Sequence, residues 1–257
     1  MNTAVAWVAL RTIVRREVHR ILRIWGQTLV PPAITMTLYF VIFGRMIGAR
    51  IGSMDGLPYI DFIVPGLIMM AVIQNSYGNI VSSFFGAKFQ HFIEEMLVSP
   101  TPNAVILAGY VIGAMLRGFL VGAIVLVVAM GFTDLRLLHP LITLLTLLLA
   151  SLVFAFAGFI NAMFARKFDD IAIVPTFVLT PLTYLGGVFY SVQLLPPTWR
   201  AISQFNPILY MVNAFRHGLL GVSDVPIGTA LGLMAAFALV LGGVSLHLLN
   251  RGTGLRN

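Results

Sequence analysis

Residues 137–165 read LLHPLITLLTLLLASLVFAFAGFINAMFA, with no charged side chain between Arg136 and Arg166. A helix needs roughly 20 such residues to cross a hydrocarbon core about 30 Å thick. The run is apolar on every face, as at Leu141–Leu149, whereas a barrel strand would alternate apolar and polar residues over about 10 positions. The stretch is therefore a transmembrane helix, and it sets the criterion for the rest of the chain.

Ile24–Gly44, Phe62–Ala87, Ile171–Trp199 and Val225–Asn250 meet the same criterion, and Asn103–Gly131 meets it with Arg117 as its only charge. That makes six candidate spans. The uncharged run Ala201–Phe215 is too short to cross and is expected to be re-entrant or interfacial. Composition agrees. Of 257 residues, 59% are hydrophobic and 10% charged, against roughly 45–50% and about 25% in soluble domains; mean hydropathy is +0.95. A soluble globule could not cover that apolar set, and disorder needs the opposite composition. The absence of cysteine excludes disulfides, thiolate metal sites and cysteine nucleophiles.

The net charge of +7 is expected to reflect topology rather than nucleic-acid binding. With six spans both termini share a side. That side carries Arg11, Arg15, Arg16, Arg20, Arg23, Lys88, Arg166, Lys167, Arg251 and Arg256, against Arg45, Arg50, Arg136, Arg200 and Arg216 opposite. Both termini are thus expected in the cytoplasm. Arg11–Arg23 precede the first apolar run, so no cleavable signal peptide is expected.

Residues 4–23 form no span. Leu10, Val14, Val18, Ile21, Leu22 and Trp25 recur on one helical face, and Arg11, Arg15, His19 and Arg23 on another. This predicts a basic amphipathic helix in the cytoplasmic headgroup layer against anionic membrane lipid; the alternative is a solvated extension whose arginines only set topology. Pro31 and Pro32 interrupt the first span, and Pro65, Gln74, Asn75, Asn79, Ser82 and Ser83 the second. Such polar groups either bond neighbouring helices or line a wet pathway, and both readings stand. Arg117 lies near the middle of the third span with no acid inside any span to pair it. It marks either a functional site or an arginine bonded to backbone carbonyls. Small-xxx-small pairs at Gly109/Gly113, Gly118/Gly122 and Gly228/Gly232 permit close helix contact.

Between spans two and three, Lys88–Pro100 reads KFQHFIEEMLVSP. Phe89, Phe92, Ile93, Met96 and Leu97 make an apolar helical face, while Glu94 and Glu95 point about 100° apart. This helix either lies in the interface or docks a soluble partner. Solvated carboxylates without metal-ligand neighbours do not suit acid–base catalysis. Asp169-Asp170 in the second cytoplasmic loop is a salt-bridged loop or, less simply, half of a metal site. Later, Pro175, Pro181, Pro196, Pro197 and Pro207 punctuate the chain, and Leu209–Leu219 suits a half-helix ending near Arg216 and His217. Irregular backbone at membrane depth must be buried in protein or line water, which favours a gate. Neither of the two lysines sits in a phosphate-binding loop, and no metalloprotease or serine-hydrolase motif occurs. No catalytic or metal residues are expected.

The chain resembles the six-span permease subunit of type-two ABC exporters over nearly its whole length. The stretches that carry the resemblance are Phe92-Ile93-Glu94-Glu95-Met96-Leu97-Val98-Ser99-Pro100, then Phe168-Asp169-Asp170 with Pro175-Thr176-Phe177 and Pro181–Gly187, and finally Asn206-Pro207 with Arg216 and Gly221. The resemblance implies one permease domain over 1–257, with 4–23 as an interfacial helix. It implies that 88–99 is a coupling helix docking a separate ATPase subunit through Phe89, Phe92, Glu94, Glu95 and Leu97. It implies that 194–221 is a re-entrant extracytoplasmic helical pair before the last span, with Asn206, Pro207 and Arg216 as gate candidates. Two permeases would pair with two ATPases in the bacterial inner membrane, the partner binding ATP and Mg while this chain holds no cofactor. Gln74, Asn75, Asn79 and Arg117 are the pathway candidates, and the cargo is lipid-like, glycan or hydrophobic. The alternatives are an ion-coupled secondary transporter, which would want intramembrane acids, and an integral-membrane lipid enzyme, which would want clustered His and carboxylates.

Overall fold

A computed structural model describes residues 3–133, 135 and 137–254. Arg136 and Arg256, both in the charge count above, lie outside the described residues. The described chain is helical apart from a small antiparallel hairpin, β1 (Ser53–Met54) with β2 (Leu57–Pro58), in which Ser53 pairs with Pro58.

Among the described residues, five helices are long and apolar enough to cross a membrane: α2 (Trp25–Ile51), α3 (Tyr59–Phe89), α5 (Asn103–Ala129), α6 (Pro140–Phe164) and α10 (Ile227–Arg251). They are preceded by α1 (Thr3–Arg23) and joined by α4 (Phe92–Val98), α7 (Asp170–Tyr184), α8 (Pro197–Gln204) and α9 (Pro207–Leu220). In its most apolar stretch α3 is 83% buried, against 17% for α2 and for α10. It is the central post, and α5, α6 and α9 pack around it.

Two ends of the bundle can be told apart by contacts. At one, Lys88 Nζ donates to Met163 O at 2.7 Å and Ala165 O at 2.8 Å, and Asn103 Nδ2 to Asn250 Oδ1 at 2.9 Å. At the other, Tyr59 Oη donates to Phe189 O at 3.0 Å, Ser191 Oγ to Asp224 Oδ1 at 2.8 Å, and Asp61 accepts from Thr133. The two apolar cores follow the same division. One gathers Phe62, Leu67, Met211 and Phe215; the other gathers Phe84, Tyr110, Phe159 and Met163, with Phe84 and Phe159 rings 4.3 Å apart.

Several sequence expectations are corrected. The first apolar helix does not stop at Gly44; it continues past Arg45 and Arg50, widening into π-helix over Phe40–Ile47. Pro31 and Pro32 are accommodated inside it. Ile171–Trp199 is not one helix, because α7 ends at Tyr184 and is shorter than a roughly 20-residue crossing; a turn at Gly186-Gly187 and a 3-10 turn at Val192–Leu194 follow. The stretch 194–221, expected to be re-entrant, consists of α8 and α9, with Leu194 still in the 3-10 turn. The short helix expected over 88–99 does not begin at Lys88. Lys88 and Phe89 are the last turn of α3, and His91, with φ of 62°, bends the chain before α4.

The glycine pairs differ in use. A Cβ on Gly109 or Gly113 would lie 2.5 Å from Ile13 Cγ2 or 2.6 Å from Glu17 Cβ, so these two let α1 lie against α5. Gly118 and Gly122 give the same closeness to Ser76 and Val72 of α3. A Cβ on Gly228 or Gly232 would meet nothing within 4 Å among the described residues.

Candidate functional site

The amphipathic helix α1 does more than rest on a surface. Ile13, Glu17 and Ile21, spaced four apart, are buried against α3 and α5. Glu17 is 1% exposed. Its carboxylate takes Arg20 Nη2 at 2.9 Å and the Ser83 hydroxyl at 2.6 Å, with Arg16 at 3.6 Å. The same Arg20 nitrogen donates to Asn79 Oδ1 at 2.7 Å. A buried pair needs such added hydrogen bonds to offset the loss of hydration. The opposite face of α1 keeps Trp7, Val8 and Leu22 exposed.

The pathway candidates therefore separate. Asn79 is buried and bonded to Arg20; Asn75 Nδ2 only donates to Ala71 O of its own helix at 2.9 Å. Gln74 has no hydrogen bond among the described residues and lies half-buried, one turn before Gly78, which has nothing within 4 Å. Ser82, a turn further, is exposed. Gln74, Gly78 and Ser82 thus share one stripe of a largely buried helix, and among the described residues nothing lies within 4 Å of a Cβ at Gly78. Arg117 is half-buried with its Nε unbonded, and the charge that acts on it is the like charge of Arg20. No acid balances it among the described residues.

On α4, Ile93 is buried while Met96 and Leu97 are half-buried; Phe92, Glu94, Glu95 and Val98 are exposed. The apolar face expected from the sequence is thus divided. Ile93, Met96 and Leu97 anchor the helix, and Phe89 and Phe92 point outward. Phe89, Phe168 and Phe85 form an edge-to-face group with centroids 5.0 Å apart about Phe168. Glu94 Oε1 lies 2.9 Å from His91 Nδ1. Behind α4, Tyr110 of α5 donates to Met96 Sδ at 3.9 Å and receives Arg16 Nη2 at 2.6 Å. The short helix, α1 and α5 are therefore joined at one point. Asp170 Oδ2 accepts the backbone N–H of Arg166 at 2.9 Å and of Lys167 at 3.2 Å, holding the loop that carries Phe168.

The gate candidates form one anchored unit at the far end. Asn206 caps α9, accepting from Ile208 N at 3.0 Å, and Pro207 takes the first helical position, where its missing N–H costs nothing. Asn206 Nδ2 also donates to Leu182 O at 2.6 Å. Arg216 is fully buried and bonds Gly187 O at 2.7 Å, Phe62 O at 3.3 Å and Asn213 Oδ1 at 3.4 Å, with its guanidinium 3.8 Å over the Phe62 ring. It ties α9 to α3 and to the turn after α7. Gly66 allows this, since a Cβ there would lie 2.9 Å from Val188 Cα.

Sequence reasoning missed Glu17 as the group that gathers Arg16, Arg20 and Ser83, and Tyr110 as the partner of Arg16. A signal was present: Glu17 is the only acid before Asp55, set in a run of arginines.

A family model described as ABC-2 type transporter matches residues 8–220. The inner membrane transport permease YadH of Escherichia coli (strain K12) is 55% identical over 251 residues, 98% of each chain. Nodulation protein J of Rhizobium leguminosarum bv. viciae is 26% identical over 217 residues, 83% of each chain, and that of Rhizobium meliloti (strain 1021) is also 26% identical over 217 residues.

Proposed function

The chain belongs to the ABC-2 type transporter family as a transport permease subunit, and from that membership we propose that it is the membrane half of an ATP-driven exporter in the bacterial inner membrane. It pairs with a second copy of itself and with a separate ATPase that binds ATP and Mg. Its cargo is lipid-like, glycan or hydrophobic and leaves from the cytoplasm or the inner leaflet. The observation that carries the reading is α4. A seven-residue helix with two outward carboxylates, an exposed aromatic rim and an inward anchor on Tyr110 and Arg16 suits docking of a soluble partner and passing its motion to α1 and α5 as near-rigid bodies.

The six-crossing count rests on α7. Asp170 lies beside Arg166 at the Lys88 end, and Tyr184 meets Tyr39 near Phe189 at the other. The chain between them supplies the fifth crossing, completed by the turn after Tyr184, and α8 with α9 form the re-entrant pair. With six crossings, α1 and Gly254, whose Cβ would lie 2.5 Å from Met163 O, share the end that the cation count makes cytoplasmic. The open stripe of Gln74, Gly78 and Ser82 supports a pathway shared with a second copy, since polar groups at this depth need protein or water. A proton-coupled carrier would need a free buried acid; Glu17 has both oxygens engaged by Arg20, Arg16 and Ser83.

The test is a mild-detergent pull-down of the tagged chain from native membranes, with mass spectrometry of what is retained. A stoichiometric soluble protein with a phosphate-binding loop is the expected result. Recovery of the chain alone and stable would overturn the reading.

A further inference from the structure

At the cytoplasmic end a cleft of about 360 Å³ opens between α1, α3 and the start of α4. Arg16, His19, Arg20 and Arg23 contribute four of its walls, with Ser82, Ser83 and Phe92 among the others. Three arginines against Glu17 leave two positive charges before His19 is counted. The hydroxyls are not the free donors, since Ser82 Oγ donates to Asn79 O and Ser83 Oγ to Glu17. The guanidinium groups are. Arg20 Nε is buried without an acceptor, and Arg23 and His19 have no side-chain partner among the described residues. Deeper in, Arg117 adds a further unbalanced positive charge felt by Arg20.

A concave, net-positive site with unspent N–H donors calls for an anion with several acceptor oxygens, and arginine suits phosphate above all. The depth decides which phosphate. On the other flank of α1 from the cleft, Trp7, Leu10, Val14 and Val18 line an apolar trough rimmed by Arg11 and Arg15, so α1 has the pattern of a helix at the boundary of headgroups and acyl chains. A phosphate at that level belongs to a lipid.

We propose that this cleft binds the phosphodiester of an anionic lipid of the cytoplasmic leaflet, gripped by Arg16, Arg20 and Arg23 beside His19. A headgroup with its own ammonium brings a cation into an already positive cleft and is rejected. The bound lipid then touches α1, α3 and Phe92 at once, so leaflet composition acts on the same junction that couples α4 to the bundle. The inference rests on the orientation given above only for the leaflet named, and binding is measured on the purified chain, where orientation plays no part.

The test titrates the full-length chain in detergent with dioctanoyl phosphatidylglycerol, dioctanoyl phosphatidylcholine and inorganic phosphate, reading occupancy by native mass spectrometry. Arg23→Gln and His19→Gln change exposed side chains without partners, so folding is retained, which an unchanged Tm verifies. Arg11→Gln is the control on the same helix outside the cleft. The expected result is tighter binding of phosphatidylglycerol than of either other probe, with Arg23→Gln about five-fold weaker, His19→Gln weaker in the same sense, and Arg11→Gln unchanged. Equal weakening by Arg11→Gln would mean diffuse surface charge and would overturn the site. Phosphatidylcholine binding as well as phosphatidylglycerol would overturn its charge basis. Inorganic phosphate binding as tightly, with loss in Arg23→Gln, would overturn the lipid and assign the cleft to free phosphate.

Discussion

Arg20 of the amphipathic helix donates to Asn79 Oδ1 of the central helix at 2.7 Å through the same nitrogen that holds Glu17 at 2.9 Å. One guanidinium thereby joins a segment outside the membrane count to the most buried helix of the bundle. Any movement of α1 must break or carry this contact.

Glu17→Gln is expected to destabilise the chain markedly. Removing one partner of a buried pair costs about 3–5 kcal/mol because the remaining charge is stranded; here Arg20 keeps some exposure, so about 3 kcal/mol is the expectation. A thermal unfolding series in one detergent checks it, and a change of Tm no larger than that of Arg11→Gln would refute it.

Gly113→Leu is expected to push α1 off α5, since even a Cβ would lie 2.6 Å from Glu17 Cβ. Overpacking of this sort costs roughly 1–3 kcal/mol. Gly232→Ala, with open space around it, is expected to leave the isolated chain's stability unchanged. Limited proteolysis between α1 and α2 should rise for the first variant and not for the second.

Arg216→Lys is expected to fail as a conservative change. An ammonium cannot reach Gly187 O, Phe62 O and Asn213 Oδ1 together or stack flat on Phe62. Leaving buried acceptors unpaired costs about 1–3 kcal/mol. Tm should fall, and accessibility of a cysteine placed at Val188 should rise; wild-type values in both would remove the anchoring role.

Glu94→Ala with Glu95→Ala is expected to reduce transport-coupled ATP hydrolysis about ten-fold, the loss of an interface hot spot worth more than 1 kcal/mol. Both side chains are exposed, so stability should stay within about 0.5 kcal/mol. Phe92→Ala should act in the same direction. Unchanged substrate-stimulated turnover in proteoliposomes, with insertion intact, would withdraw the coupling role of α4.

The break in the fifth expected span has a local cause. Ile171–Trp199 passes a hydropathy test because it lacks charge, but Gly186-Gly187 and Pro196-Pro197 stop helix propagation. The same residues let Val188 approach Gly66 and bring Gly187 O to Arg216. Phe89 does not continue the apolar face of the short helix, because a positive φ at His91 turns the chain between α3 and α4; Phe92, on α4 itself, lies on its exposed side.

That this is a helical membrane protein, where its apolar runs lie, that a basic helix precedes them and that an acidic, aromatic helix links two of them can all be read along the chain. These are properties of consecutive residues, set by bilayer thickness, side-chain hydration and helical period, so a linear reading recovers them. The meeting of Glu17 and Arg20 with Asn79 and Ser83, the reach of Arg216 to Phe62 and the open faces of α4 and α3 emerge only once the helices are packed. Those contacts join residues 59 to 154 positions apart. They depend on how each helix is rotated and how closely glycines let it approach, and neither is written in the hydropathy of any one segment.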